Sequence, residues 1–210
     1  MDGDRDPGFT HPATGEMTTA DLQSLITNLT SGDDQIAENS VEPIAALGES
    51  ALPALFELIG SPDPEKRWWG LRALAVIRHP EVTLRLQEAL HDPDLAVRQC
   101  AVLGLGQQPS AESIPDLIIL LDDQDRLLAR LAGDALIAVG EQVVPALSET
   151  LENGSQRTKI EAARALALIG DPSSIPVLFK AWQAGSTMIQ HWAEEGLERM
   201  GVGMQFFQPE

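Results

Sequence analysis

The chain has 210 residues, with 32 acidic against 14 basic side chains, and a net charge of −18. So acidic a surface repels phosphate backbones and anionic bilayers, so nucleic acid and membrane are not expected partners; a protein with a basic patch is favoured and steered. The apolar fraction of 43%, mostly Ala and Leu and without tyrosine, suffices for a packed helical core and excludes wholesale disorder.

Cys100 is the single cysteine, which rules out an intrachain disulfide and a thiolate zinc site. No apolar stretch approaches the roughly 20 residues that span a bilayer. Residues 1–17 carry Asp2, Asp4, Asp6 and Glu16 against Arg5 and lack the apolar run of a secretory signal. They are expected to form a flexible acidic tail, in a protein located in the cytoplasm.

Residues 18–30 then predict an N-terminal capping helix, with Thr19 as candidate N-cap. From there the chain repeats itself. The segments Arg67-Trp-Trp-Gly-Leu-Arg-Ala-Leu74, Arg98-Gln-Cys-Ala-Val-Leu-Gly-Leu105, Ala129-Arg-Leu-Ala-Gly-Asp-Ala-Leu136, Lys159-Ile-Glu-Ala-Ala-Arg-Ala-Leu166 and Gln190-His-Trp-Ala-Glu-Glu-Gly-Leu197 start 31, 31, 30 and 31 residues apart. A weaker copy starts at Ala37. The fourth position of every copy is small: Ser40, Gly70, Ala101, Ala132, Ala162 and Ala193. The seventh is small in all but the first: Ala73, Gly104, Ala135, Ala165 and Gly196, with Pro43 in copy one. The eighth is a large aliphatic. These positions share one helical face, where small residues let a neighbouring helix approach closely.

A second amphipathic segment follows in each copy, opening on Pro53, Pro115, Pro145 or Pro176, with Leu84 in place of proline in the second copy. Proline is accommodated in a first helical turn, where its missing N–H had no partner. Asp- and Ser-containing turns around Asp63, Asp94, Asp125, Ser155 and Ser186 are placed to cap the next helix. Gly48, Gly140, Gly170 and Gly201 sit where first helices should end. The fold class is therefore all-α: an α-solenoid of about five and a half helical hairpins over residues 18–201. Residues 202–210 form a tail expected to close the open end with Phe206 or Phe207.

The run Asp94-Leu-Ala-Val-Arg98 with Ala101, Gly104 and Leu105 resembles the HEAT-like repeat of phycobilisome-lyase-type solenoids. Asp63-Pro-Glu-Lys-Arg67 and Gly170-Asp-Pro-Ser-Ser-Ile-Pro176 match the same consensus, and the resemblance extends over residues 36–201. It implies a right-handed superhelix whose second helices line the concave face. Members include chromophore lyases, which attach or detach open-chain tetrapyrroles (bilins) on light-harvesting proteins, and adaptors without chemistry. The matching positions are those of the repeat consensus, so the resemblance carries over no catalytic residue.

Candidate chemistry is sparse. His11, His79, His91 and His191 lie in unrelated contexts with no metal-ligand spacing. Cys100 flanks a core position and reads as a buried inert thiol. Asp92, Asp94, Asp122, Asp123 and Asp125 fall in equivalent turns, where capping competes with a hard-cation site. No metal and no cofactor are expected. Arg67, Arg98, Arg130 and Lys159 form a possible basic strip, with pairing to turn carboxylates as its ordinary explanation.

Partner binding is better supported. If Leu55 and its equivalents face the core, the outward column of the second helices is Glu57, Glu88, Ile119, Glu149 and Lys180. Its flank is Ala54, Arg85, Asp116, Ala146 and Val177. An apolar middle at Ile118, Ile119 and Val177 with a charged rim suits a protein partner. Trp68 and Trp69 are 100° apart on one helix, so with Trp69 beside the core, Trp68 points outward as a possible exposed anchor. The sequence accordingly reads first as a non-catalytic scaffold, adaptor or assembly factor. The alternatives are a subunit of a bilin lyase or light-harvesting assembly system, and an accessory subunit of a larger complex.

Overall fold

The computed structural model describes residues 19–202. Among them lie twelve α-helices and no strand. Helix α1 (Thr19–Leu29) precedes five hairpins: α2 (Asp34–Ala46) with α3 (Leu52–Ile59), α4 (Pro64–Leu74) with α5 (Pro80–Ala89), and α6 (Leu95–Gln107) with α7 (Ile114–Leu120). The series continues with α8 (Arg126–Val139) and α9 (Val144–Asn153), then α10 (Gln156–Ile169) and α11 (Ile175–Ala184), and closes on α12 (Thr187–Arg199). The two chain ends, with Phe206 and Phe207, lie outside the described residues.

Capping chemistry sets the boundaries. Asp33, Asp63, Asp94 and Asp125 each accept backbone N–H bonds from the first turn of α2, α4, α6 and α8, and Ser155 does so for α10. Gly48, Gly140, Gly170 and Gly201 all have positive φ, between 54° and 80°, as the reversal after a first helix requires. In four hairpins a single 3-10 turn then leads into the second helix, with proline near its start.

The second hairpin differs from the expected register. Its second helix does not open at Leu84 but one turn earlier, at Pro80. His79 makes this possible: its Nδ1 accepts the Glu81 N–H at 3.2 Å, an N-cap that removes the need for the 3-10 turn. Leu84 consequently sits in mid-helix and is exposed.

The core is one continuous layer between first and second helices. The eighth-position aliphatics Ile44, Leu74, Leu105, Leu136, Leu166 and Leu197 are all buried, as are Leu55, Leu86, Leu117, Leu147 and Leu178 opposite them. The small columns act as expected. A Cβ on Gly196 would stand 2.9 Å from the Ala167 Cα, and one on Gly70 would stand 2.9 Å from Ile59 Cγ2. Successive first helices therefore pack on one another extensively, whereas successive second helices meet only lightly. The outward side of the second helices is left grooved.

Candidate functional site

The second-helix face carries the column expected from the repeat. Glu57, Glu88, Ile119, Glu149 and Lys180 are all exposed, and Ala54, Arg85, Asp116, Ala146 and Val177 are half-buried beside them. Ile119 is 71% exposed, the most exposed large apolar side chain among the described residues.

The charges on this face are not equivalent. Arg85 is tied down: it hydrogen-bonds Glu88 at 3.0 Å and Glu81 at 3.2 Å, and its guanidinium lies 5.1 Å from the centroid of the Phe56 ring. Glu88 is thereby partly neutralised within its own helix. Lys180 bonds Glu152 across repeats at 2.8 Å, and that bond holds the Glu152 carboxyl below the usual carboxylate range. Glu57, Asp116 and Glu149 make no ion pair among the described residues, so they supply the field a partner would meet.

Two grooves open beside the second helices. One, of about 520 Å³, lies between α1 and α3 and is lined by Gln23, Ile26, Ala54, Glu57, Leu58 and Lys66 among others. A smaller one, of about 190 Å³, lies between α9 and α11 beside Leu151, Glu152, Lys159, Val177 and Lys180. Ile119 stands on α7 between these two ends of the face.

The remaining candidates have structural occupations. Burial pushes the Cys100 thiol up to about 12, although Arg72 acts weakly the other way. At neutral pH it is therefore a thiol, not a thiolate nucleophile. Burial disfavours the Asp92 charge. Hydrogen bonds from Arg67 and from the Asp94 N–H, with the fields of Arg67 and Arg98, overcome this and hold its carboxyl below the ordinary range. Asp94 and Asp125 are helix caps, Asp122 accepts from Ser155 Oγ at 2.7 Å, and Asp123 accepts from the Asp125 N–H at 2.8 Å. No group of three or more His, Cys, Asp or Glu side chains among the described residues could hold a metal ion.

The basic strip is likewise engaged. Arg67 binds Asp92 at 2.7 and 2.8 Å and the Ser61 and Pro62 carbonyls, Arg98 binds the Asp92 and Pro93 carbonyls, and Lys159 binds the Glu152 carbonyl. Arg130 lies 3.8 Å from Glu161 and 3.9 Å from Asp134.

Trp68 departs from the sequence expectation. It is half-buried rather than fully outward, because its indole rests on Trp69, with ring centroids 4.7 Å apart and planes at 86°. Trp69 is 5% exposed. Sequence reasoning also missed that these rings wall a cavity of about 590 Å³ together with Asp34, Glu38, Glu65 and Asp94. The signal was available in the repeat columns. The Trp68 position is Glu38, Gln99, Arg130, Ile160 and His191 in the other copies, none of which is an indole.

The model of HEAT repeats matches residues 52–137 and 117–198, more than half of the chain. The chain belongs to the HEAT repeat family. Among curated relatives, a phycocyanobilin lyase beta subunit of Thermosynechococcus vestitus is 36% identical over 84 residues, 40% of this chain and 39% of that protein. A phycobilisome maturation protein of Synechococcus elongatus is 32% identical over 114 residues, 54% of each chain. This chain thus spans between about two fifths and about half of the length of the curated relatives it matches. The HEAT solenoid also superposes on a chain from the complex of CpcE and CpcF of phycocyanin lyase from Nostoc, with a TM-score of 0.57 and 21% identity, covering 70% of this chain and 99% of that one. At this identity the likeness is one of fold. No helix among the described residues is long and apolar enough to cross a membrane.

Proposed function

We propose that this HEAT-repeat chain is a subunit of a bilin-lyase or light-harvesting assembly system, and that it works by holding a protein partner against its second helices. The similarity of 36% and 32% to a phycocyanobilin lyase subunit and a phycobilisome maturation protein is the observation that carries this reading and supports it over a general-purpose adaptor. The surface supports the same mode of action. Ile119 provides an exposed apolar centre, and Glu57, Asp116 and Glu149 supply uncompensated charge along the same face. Desolvation of the apolar centre supplies affinity, and the carboxylates steer and orient a basic patch. A solenoid presents this surface preformed, so little ordering entropy opposes binding. The chain's contribution is positioning: it would present a light-harvesting polypeptide, or a second lyase subunit, to the bilin.

The test mixes the purified chain with an apo light-harvesting polypeptide, phycocyanobilin and, in a parallel arm, a second lyase subunit. Complex formation is read by size-exclusion chromatography, and bilin attachment by colour retained on a denaturing gel. The expected result is a stable complex in at least one arm. Charge reversal at Glu57, Asp116 and Glu149 together should weaken it about tenfold or more. A complex of unchanged affinity in that variant overturns the assignment of the face. The absence of any complex and of any retained colour in either arm overturns the assignment to bilin assembly.

A further inference from the structure

The Trp68 cavity lies on a different part of the molecule from the second-helix face. Its walls come from the N-terminal ends of three successive first helices, α2, α4 and α6. It is a wide depression of about 590 Å³, open to solvent, that an incoming side chain can reach.

Its chemistry is specific. Trp68 and Trp69 stand edge to face at right angles; Trp69 is buried beneath, and the π surface open to the cavity is that of half-buried Trp68. Four carboxylates, Asp34, Glu38, Glu65 and Asp94, share the lining. Glu38 is paired with Arg72, and Asp94 is spent on the α6 cap, accepting from the Ala96 and Val97 N–H groups at 2.9 and 3.1 Å. Asp34 and Glu65 have no ion pair among the described residues. The three helix N-termini each contribute about half a positive charge, which with Arg72 falls short of the four carboxylates, so the mouth stays negative.

The fold does not ask for this composition. The repeat places Glu38, Gln99, Arg130, Ile160 and His191 where Trp68 stands, and Ala96, Leu127, Arg157 and Met188 where Glu65 stands. The indole and the carboxylate coincide in one repeat only. An aromatic wall with a negative rim is the recognition chemistry of an organic cation: the π face attracts the charge, the carboxylates neutralise it, and the ring covers the apolar stem.

We propose that the Trp68–Trp69 cavity is a pocket for a basic side chain, arginine above all, projecting from a segment of a protein partner. It is a second contact point, independent of whether the partner on the second-helix face is a light-harvesting polypeptide. A guanidinium stacks on Trp68 while its N–H groups reach Asp34 and Glu65. The pocket discriminates by charge, and a neutral side chain of the same length gains neither interaction.

The probe is a blocked pentapeptide with one central arginine between glycines, with a glutamine version as control. The readout is the indole N–H spectrum of the 15N-labelled full chain, in which Trp68, Trp69, Trp182 and Trp192 give separate signals. The arginine peptide should shift the Trp68 and Trp69 signals saturably, leave Trp182 and Trp192 in place, and bind more weakly as salt rises. The glutamine peptide should shift none. Trp68→Gln installs the residue the next repeat carries at this register, so the fold is retained, and affinity read at Trp69 should fall about tenfold. Asp34→Asn with Glu65→Gln should weaken binding several-fold and flatten its salt dependence. Equal affinity in Trp68→Gln, equal binding of the glutamine peptide, or shifts confined to Trp182 and Trp192 would each overturn the proposal. Binding that survives Trp68→Gln but is lost on charge reversal of Glu57 and Glu149 would place the peptide on the second helices instead.

Discussion

Arg164 is the one fully buried charged side chain among the described residues, 1% exposed, in a position of the repeat that is Arg72, Leu103 and Asp134 in other copies. Its Nη1 donates to Asp134 at 2.7 Å, its Nε to Glu161 at 2.8 Å, and its Nη2 lies 3.4 Å from the Arg130 carbonyl. Gly133 makes the room, since a Cβ there would stand 2.6 Å from Nη2. A buried guanidinium is tolerable only with its partners in place, and removing it leaves Glu161 and Asp134 with only the longer contacts of Arg130, at 3.8 and 3.9 Å. Arg164→Ala is expected to cost about 2–3 kcal/mol, reduced from the fully buried case because Asp134 is half exposed to water. Arg164→Met with Glu161→Gln keeps the volume and removes both charges, and should lie within about 1 kcal/mol of the parent. Guanidinium unfolding of the two variants separates the cases; a neutral Arg164→Ala would show that the network contributes nothing.

At the scale of an element, the end of α4 shows how the repeat tolerates a missing signal. Gly48, Gly140 and Gly170 reverse the chain after their first helices, but the same register in the second and third copies falls on Arg78 and Pro109. The α4 carbonyls are served from the next repeat: Gln108, itself buried, donates from Nε2 to Ala75 O at 2.8 Å and Ile77 O at 2.9 Å. A side chain separated by 33 residues thus replaces a local cap. Gln108→Leu preserves bulk but leaves buried carbonyls without a donor, and should destabilise by about 1–3 kcal/mol. Solvent-exposed Gln107→Leu, one residue earlier, should be close to neutral. Equal unfolding midpoints for the two would mean that water serves those carbonyls as well as Gln108 does.

For the whole molecule, the consequence of a repeat stack is that stability is shared between neighbours. Helices α6 and α8 pack on repeats at both sides, whereas α1 and α12 are backed on one side only among the described residues. Opening free energies should therefore fall from the middle to the ends. Hydrogen exchange followed by mass spectrometry should find α6 and α8 the slowest to exchange, with α1 and α12 fastest. Uniform protection along the chain would instead indicate a single cooperative unit. The same gradient bears on binding, because Ile119 and Asp116 sit in the rigid middle while Trp68 and Glu57 lie nearer the N-terminal end.

The family and the fold were legible in the amino-acid sequence because their signals are local and repeat every 30 or 31 residues. Small residues at fixed positions allow helices to touch, Asp and Ser precede first turns, and glycine follows last ones. The outward column from Glu57 to Lys180 was legible for the same reason, since side-chain direction follows helical periodicity. Contacts across repeats were not. That Gln108 caps a helix of the previous repeat, that Lys180 pairs with Glu152 and that Trp68 shares a cavity with Asp34 and Asp94 all depend on residues far apart in the chain meeting in three dimensions. The sequence by itself determined the stack and the face it exposes. Only the tertiary structure decided which charges on that face remain free, because neutralisation depends on distance between side chains and not on their type.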